Sequence, residues 1–274
     1  MTMNYAFSTL ACPDWSLDQI IDAAANFGYD GIELRLLDGE VLDLTADADK
    51  VEHAVTRCRS QQVDVCALDT SCRFSGASAK REREVKSLLA WIRLAERVQV
   101  PLLRVFGGAS GEEQGIDADE ADARVAESLR KVVLAAKHTG ITVMLETHDA
   151  YSSARRVAHV LDLVDAPCVA ALWDSLHPYR MGETHVEVIA LLGSRIAHVH
   201  VKDARRVAPA EPGNSGSDWQ LVPLGEGEVP VRAQLTALEQ LGYTGWVSVE
   251  WEKKWHPELA GPDVALPQHI AWLR

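Results

Sequence analysis

Two spacings of apolar residues alternate along the chain. Short runs rich in Val, Ile and Leu, such as GIELR (31–35), VDVCALD (63–69), PLLRVFGG (101–108) and ITVMLE (141–146), are separated by longer stretches whose apolar positions recur every three or four residues. The first kind predicts strands and the second amphipathic helices. In SLDQIIDAAANFG, Leu17, Ile20, Ile21, Ala24 and Phe27 form one stripe, Ser16 and Gln19 have the spacing of a capping box, and Gly28 stops the helix. Helices are predicted around 47–61, over 79–98, and through ARVAESLRKVVLAAKHTG, where Val125, Leu129, Val132, Val133 and Ala136 share a face and Gly140 ends the run. Further helices are predicted over 153–165, over 182–192, from Pro230 as first helical residue to Gly242, and at the C-terminal end. Strands are predicted at YAFST, CVAALWD, RIAHVHVKD and GWVSVE. A short echo, GYDGIEL against GYTGWVSVE, repeats one helix-stop and strand-start turn.

About eight strand–helix units follow one another with no dividing linker, which predicts an α/β fold, a (β/α)8 TIM barrel occupying residues 1–274 as a single domain. A doubly wound open sheet is the rival. It calls for a Gly-rich phosphate turn after the first strand, where this chain has STLACPDW.

A barrel directs attention to the C-terminal ends of its strands. The run VMLETHDAY stops abruptly at Glu146, His148 and Asp149. The next three strands end comparably, AALWD at Asp174, HVHVKD after His200 and VSVE at Glu250. Alternation along a strand puts Met144, Glu146, His198, His200, Lys202, Ser248 and Glu250 inside, and Val143, Leu145, Val199, Val201, Val247 and Val249 against the helices. Each acid alone reads equally well as a solvated strand end. Four such residues on consecutive strands predict a shared divalent cation, because three carboxylates repel one another without one. An oxygen-rich set with a single imidazole suits Mn²⁺, with Mg²⁺ or Co²⁺ as alternatives, better than structural zinc.

Charge and cysteine usage narrow the partners. A net charge of -13 argues against nucleic acid, which needs a basic face, and against an anionic membrane surface. The five cysteines are scattered without a C-x-x-C pair, so neither a disulfide framework nor a thiolate zinc site is expected. The opening MTMNYAFSTLACPDW lacks the pattern of a signal peptide, and no apolar run has the length of a membrane span, so a cytoplasmic protein is expected.

The runs LETHD, WDSLHP, HVHVKD, LGEGEVP and VSVEWE, in that order, resemble the sugar phosphate isomerase/epimerase-like group of xylose-isomerase-like TIM barrels. The resemblance extends from about Phe7 to the end. It implies that Glu146, Asp174, His200 and Glu250 form a single-metal quartet, that Glu146 and Glu250 double as the acid/base pair, and that His177 faces the substrate. The implied reaction is isomerisation or epimerisation of a keto-sugar or related polyol, by removal of a proton next to a metal-bound carbonyl. His148 departs from the epimerase pattern. Its place two residues past Glu146 resembles lyase-like members, in which it serves as base for a dehydratase or β-eliminase; the alternative is a loop histidine bonded to Asp149.

Four further expectations concern the surroundings. Lys202 is read as a substrate-binding cation or a partner of Asp203 or Glu250. Arg104 is read as a substrate-binding rim residue, with a structural ion pair as the alternative, and Gly107 and Gly108 as letting backbone approach a ligand. Glu33 is read as a substrate contact or a support behind the metal ligands, and His198 as a core or supporting residue. Trp15, Phe74, Tyr151, Trp219, Trp251 and Trp255 are candidates to stack on a sugar, and APAEPGNSGSDW is a candidate lid. A small carbohydrate-like substrate and a homo-oligomer complete the expected partners. A non-catalytic sugar-binding protein is the remaining alternative.

Overall fold

The computed structural model describes residues 3–108, 115–207 and 218–274. Eight parallel strands close into a barrel: β1 (Asn4–Ser8), β2 (Gly31–Leu34), β3 (Asp64–Arg73), β4 (Leu102–Phe106), β5 (Thr142–Glu146), β6 (Val169–Asp174), β7 (Ile196–Val201) and β8 (Trp246–Val249). Each pairs with its sequence neighbour, and β1 closes the ring on β8 in the register Asn4↔Trp246 to Phe7↔Val249. Between and after the strands lie α1 (Leu17–Phe27), α2 (Leu44–Ser60), α3 (Ser78–Val98), α4 (Ala118–Arg130), α5 (Val133–Thr139), α6 (Ala154–Val164), α7 (His177–Arg180), α8 (His185–Leu192), α9 (Val231–Leu241) and α10 (Pro262–Leu273).

Local sequence explains the helix ends. Ser16 accepts from the Gln19 amide while Gln19 returns a bond to the Ser16 amide, and Gly28 ends α1 at φ 86°. Two expectations are corrected. The predicted long helix through 139 is broken after Arg130 into α4 and α5, at the paired β-branched residues Val132 and Val133, which fit a helix poorly. The break keeps Val132 and Ala136 buried while Leu134 points to solvent. Pro230, expected as first helical residue, is the residue before α9, at ψ 52°.

Alternation along the strands divides two cores. Val143, Leu145, Val199, Val201, Val247 and Val249 join the large cluster between barrel and helices. Inside, Ala6, Cys66, Ala67, Leu102, Met144 and Leu172 form a small apolar plug. Two residues further along five of these strands the same inward face carries Ser8, Asp69, Arg104, Glu146 and Asp174, all buried. Charge thus begins one layer above the plug, towards the C-terminal ends. Register shifts at Ile32/Glu33, Asp69/Arg73 and Ala171/Leu172 fall at this level, where bulges re-aim side chains.

A two-stranded antiparallel hairpin, Asp203–Arg206 with Trp219–Val222, rises beyond β7. The candidate lid falls largely on 208–217, outside the described residues. None of the five cysteines is bridged. Among the described residues no helix is long and apolar enough to cross a membrane.

Candidate metal centre

Glu146 is the last residue of β5, Asp174 the last of β6, His200 lies one before the end of β7, and Glu250 follows β8 directly. All four are buried, and each offers a ligand atom within 4.8 Å of the others'. Protein groups hold the second polar atom of three of them. Glu146 Oε2 accepts from Arg104 Nη1 at 3.0 Å. Asp174 Oδ1 accepts from the amides of Leu176 (2.8 Å) and His177 (3.1 Å). His200 Nε2 lies 2.9 Å from Glu33 Oε1. One atom of each turns towards the others: Glu146 Oε1, Asp174 Oδ2, His200 Nδ1 and Glu250 Oε2 are buried without a hydrogen bond, although Lys202 Nζ lies within ion-pair distance of Asp174 Oδ2 and Glu250 Oε2. His200 Nδ1 lies 3.3 Å from both glutamate oxygens. A converging set of this kind, three carboxylate oxygens and one imidazole nitrogen, fits a divalent cation.

A buried charged shell holds these ligands. Glu33 has no exposed surface and grips both histidines, His198 Nε2 at 2.5 Å as well as His200. Burial raises the Glu33 carboxyl, but the charges of His200 and His198 outweigh it and hold it well below the usual carboxylate range. Glu33 therefore supports His200 from beneath. Arg104 is likewise buried, in the ion-pair arrangement that was the alternative to a rim position. It pairs with Glu146 and lies 3.6 Å from Asp69 Oδ2, with its guanidinium over the Phe106 ring.

Lys202 is buried and faces three acids: Asp174 Oδ2 at 3.1 Å, Glu250 Oε2 at 2.5 Å and Glu252 Oε1 at 2.5 Å. Burial disfavours its charge, yet Asp174, Glu250 and Glu252 raise its pKa well above the ordinary lysine value. Glu250 is held well below the usual range, because Lys202 and His200 outweigh its burial. Asp174 moves the other way, raised by burial despite Lys202. Asp203, one of two expected partners of Lys202, instead turns its carboxylate to backbone amides.

His148 and His177 lie above the quartet, their rings 4.7 Å apart. His148 is partly exposed, and its Nδ1 lies 3.2 Å from Asp149 Oδ2. His177 is buried, neither ring nitrogen has a hydrogen-bond partner among the described residues, and burial pushes its pKa well below the usual value. Of the candidate aromatics, Phe74, Tyr151 and Trp251 are buried in the packing and Trp219 lines a cavity that His148 and His177 also line. Gly107 makes room for protein, not ligand: a Cβ there would lie 2.2 Å from the Tyr151 ring.

Three participants escaped the sequence reading. Asp69 ends the inward face of VDVCALD much as Glu146 ends VMLE, so the strand-end signal was present. Burial and then Glu33 raise its pKa well above the usual range. Arg35 follows β2 and donates to the Asp69 carbonyl at 3.0 Å and to Ser71 Oγ at 2.9 Å. Glu252 lies two residues past Glu250 and anchors Lys202.

A family model of xylose isomerase-like TIM barrels matches residues 21–274. The chain belongs to this family. Among xylose isomerase-like proteins it is similar to the fructoselysine 3-epimerase of Shigella flexneri, 30% identical over 132 residues, covering 46% of this chain and 44% of that one. An inosose dehydratase of Clostridium perfringens is 28% identical over 148 residues, covering 50% and 49%. The chain thus aligns with about half the length of these curated relatives. Among solved structures, the IOLI protein with a zinc atom superposes with a TM-score of 0.81 at 18% identity, covering 99% of this chain and 97% of that one, a likeness of fold.

Proposed function

We propose that the protein is a divalent-metal-dependent isomerase or epimerase acting on a keto-sugar or related polyol. The observation that carries this reading is the convergence of four buried ligand atoms, three carboxylate oxygens and one imidazole nitrogen, on adjacent strand ends of a barrel. Glu146, Asp174, His200 and Glu250 would hold the metal, with Mn²⁺ as the first choice and Mg²⁺ or Co²⁺ as alternatives. When bound, the cation supplies Lewis acidity towards a carbonyl and its neighbouring hydroxyl. Glu146 and Glu250 take and return the proton, as ionised bases that burial by itself would neutralise. Lys202 faces an oxygen that gains charge as the proton leaves, and His177 orients the substrate. Fructoselysine 3-epimerase among the relatives supports the epimerase direction.

A second reading is a dehydratase or β-eliminase of the same site. The partly exposed His148 beside His177 favours it, as an imidazole placed where it could serve as the base. The inosose dehydratase relative supports this direction. Incubation with keto-sugars in D₂O separates the two. Deuterium in a product of unchanged formula marks isomerisation; a product lighter by water or a leaving group marks elimination. Glu146→Gln and Glu250→Gln are each expected to lower kcat by about 10²–10⁴-fold. Wild-type protein that neither contains metal, nor gains it on addition of Mn²⁺, nor exchanges deuterium would leave a non-catalytic sugar-binding protein.

A further inference from the structure

The quartet occupies the ends of β5 to β8. On the other side of the barrel mouth, the ends of β2 and β3 carry cations. Arg35 stands two residues past Glu33, and Ser71 and Arg73 stand two and four past Asp69, so alternation turns all three to the mouth. Cys72, between the last two, packs in the outer core, which fixes that orientation. Arg35 is only 8% exposed. Its Nη1 donates to the Asp69 carbonyl at 3.0 Å and to Ser71 Oγ at 2.9 Å. Arg73 lies over the Phe106 ring, 5.3 Å from its centroid, and its Nε is buried without a hydrogen bond. The same ring meets His148 at 4.8 Å.

Neither guanidinium has a carboxylate within ion-pair distance among the described residues. Buried arginines ordinarily have one, as Arg104 has in Glu146. Arg35 is instead held by two neutral oxygens, and Arg73 is placed two residues along β3 from the hydroxyl that holds it. Burial, and then the charge of Arg104, pull the Arg35 pKa from 12.5 to about 10, and Asp69, Glu146 and Glu250 offset only part of this. Arg35 thus remains a cation at neutral pH, within electrostatic reach of two members of the quartet. Both of its bonds leave from Nη1, so Nε and Nη2 keep their donors. A guanidinium fixed in this way takes a carboxylate or phosphate through two parallel bonds. Ser71, exposed at the mouth, adds a hydroxyl donor.

We infer that the substrate is acidic, a keto-sugar or polyol bearing a carboxylate or phosphate that binds Arg35, Ser71 and Arg73 across the barrel mouth from the metal ligands. The sugar part of this inference rests on the function proposed above; the anion subsite does not.

The direct test is calorimetric binding of three unreactive probes, glucose, glucuronate and glucose 6-phosphate, to the Mn²⁺-supplemented protein. At least one acid is expected to bind about tenfold or more tightly than glucose, the return on a charge-assisted pair. Preference for glucuronate assigns a carboxylate, and preference for glucose 6-phosphate a phosphate. Arg35→Gln and Arg73→Gln are each expected to remove most of that preference, in variants whose thermal melting confirms folding. Arg35→Lys, which keeps the charge and loses the fork, is expected to remove part of it. Acids that bind no better than glucose, or no binding of any probe at millimolar concentration, would overturn the inference. So would a preference that survives both glutamine substitutions, since the acid would then sit on the metal. Deuterium uptake from D₂O by 5-keto-gluconate and fructose judges the isomerase separately. No uptake from either, with the arginine-dependent preference intact, removes the isomerase and leaves the subsite. Uptake without any preference for acids in binding removes the subsite and leaves the isomerase.

Discussion

At the scale of single residues, the candidate site is a matter of which atom of each side chain turns towards the other three. Arg104 occupies one oxygen of Glu146, two amides occupy one oxygen of Asp174, and Glu33 occupies one nitrogen of His200. What remains points inward. Such buried charges stand only in company, because a carboxylate stripped of its partner in a dry interior keeps its full desolvation cost. Arg104→Met should therefore cost about 3–5 kcal/mol in urea unfolding, leaving Glu146 and Asp69 uncompensated. A loss below about 1 kcal/mol would show that the pair behaves like an exposed one. Glu33 and Arg104 were legible as unusual charges inside apolar strands. Their duties were not, because the partners lie on other strands.

Among the elements, the hairpin after β7 and the LGEGEVP turn explain each other. Asp203 Oδ1 accepts from the amides of Ala204 (2.8 Å) and Val229 (3.1 Å), and Oδ2 from those of Gly225 and Gly227 (2.9 Å each). Gly227 is required by contact, since a Cβ would lie 2.1 Å from Asp203 Oδ1. One carboxylate thus fixes the base of the hairpin that carries Trp219. Asp203→Ala should cost about 3 kcal/mol, with four amides losing a charged acceptor. Hydrogen exchange at Gly225, Gly227 and Val229 should accelerate, and unchanged protection there would assign the turn's order to packing alone. The break between α4 and α5 belongs to this scale too. The apolar stripe was visible across it, but the stripe does not record where a β-branched pair interrupts the backbone.

Across the whole molecule, the last helix returns to seal the barrel's neighbourhood and carries a pH liability. His269 on α10 is buried beside Trp251, with ring centroids 5.1 Å apart, and its Nδ1 accepts from the Leu224 amide at 3.4 Å. Burial pulls its pKa from 6.5 down to about 4. Above pH 6.5 the ring is neutral whether the chain is folded or not, and contributes no pH dependence. Below it the unfolded chain takes up a proton that the folded one refuses, so stability falls until about pH 4. The total is about 3 kcal/mol, and His269→Gln should remove that share of the difference between chemical denaturation at pH 7 and pH 4. An identical acid slope in the variant would place the loss on other groups. The same scale shows what local pattern settled. Apolar period fixed the strands and helices, and alternation fixed which side chains face inward, because both depend on neighbours a few residues away. The four acidic and imidazole strand ends were readable for that reason, as Asp69 could have been. Tertiary structure alone decided that Glu33 reaches across the barrel to His198 and His200, that Lys202 serves three acids, and that Trp219 shares a cavity with His148 and His177. Those contacts join residues up to 167 positions apart, and barrel closure, not sequence spacing, sets their distances.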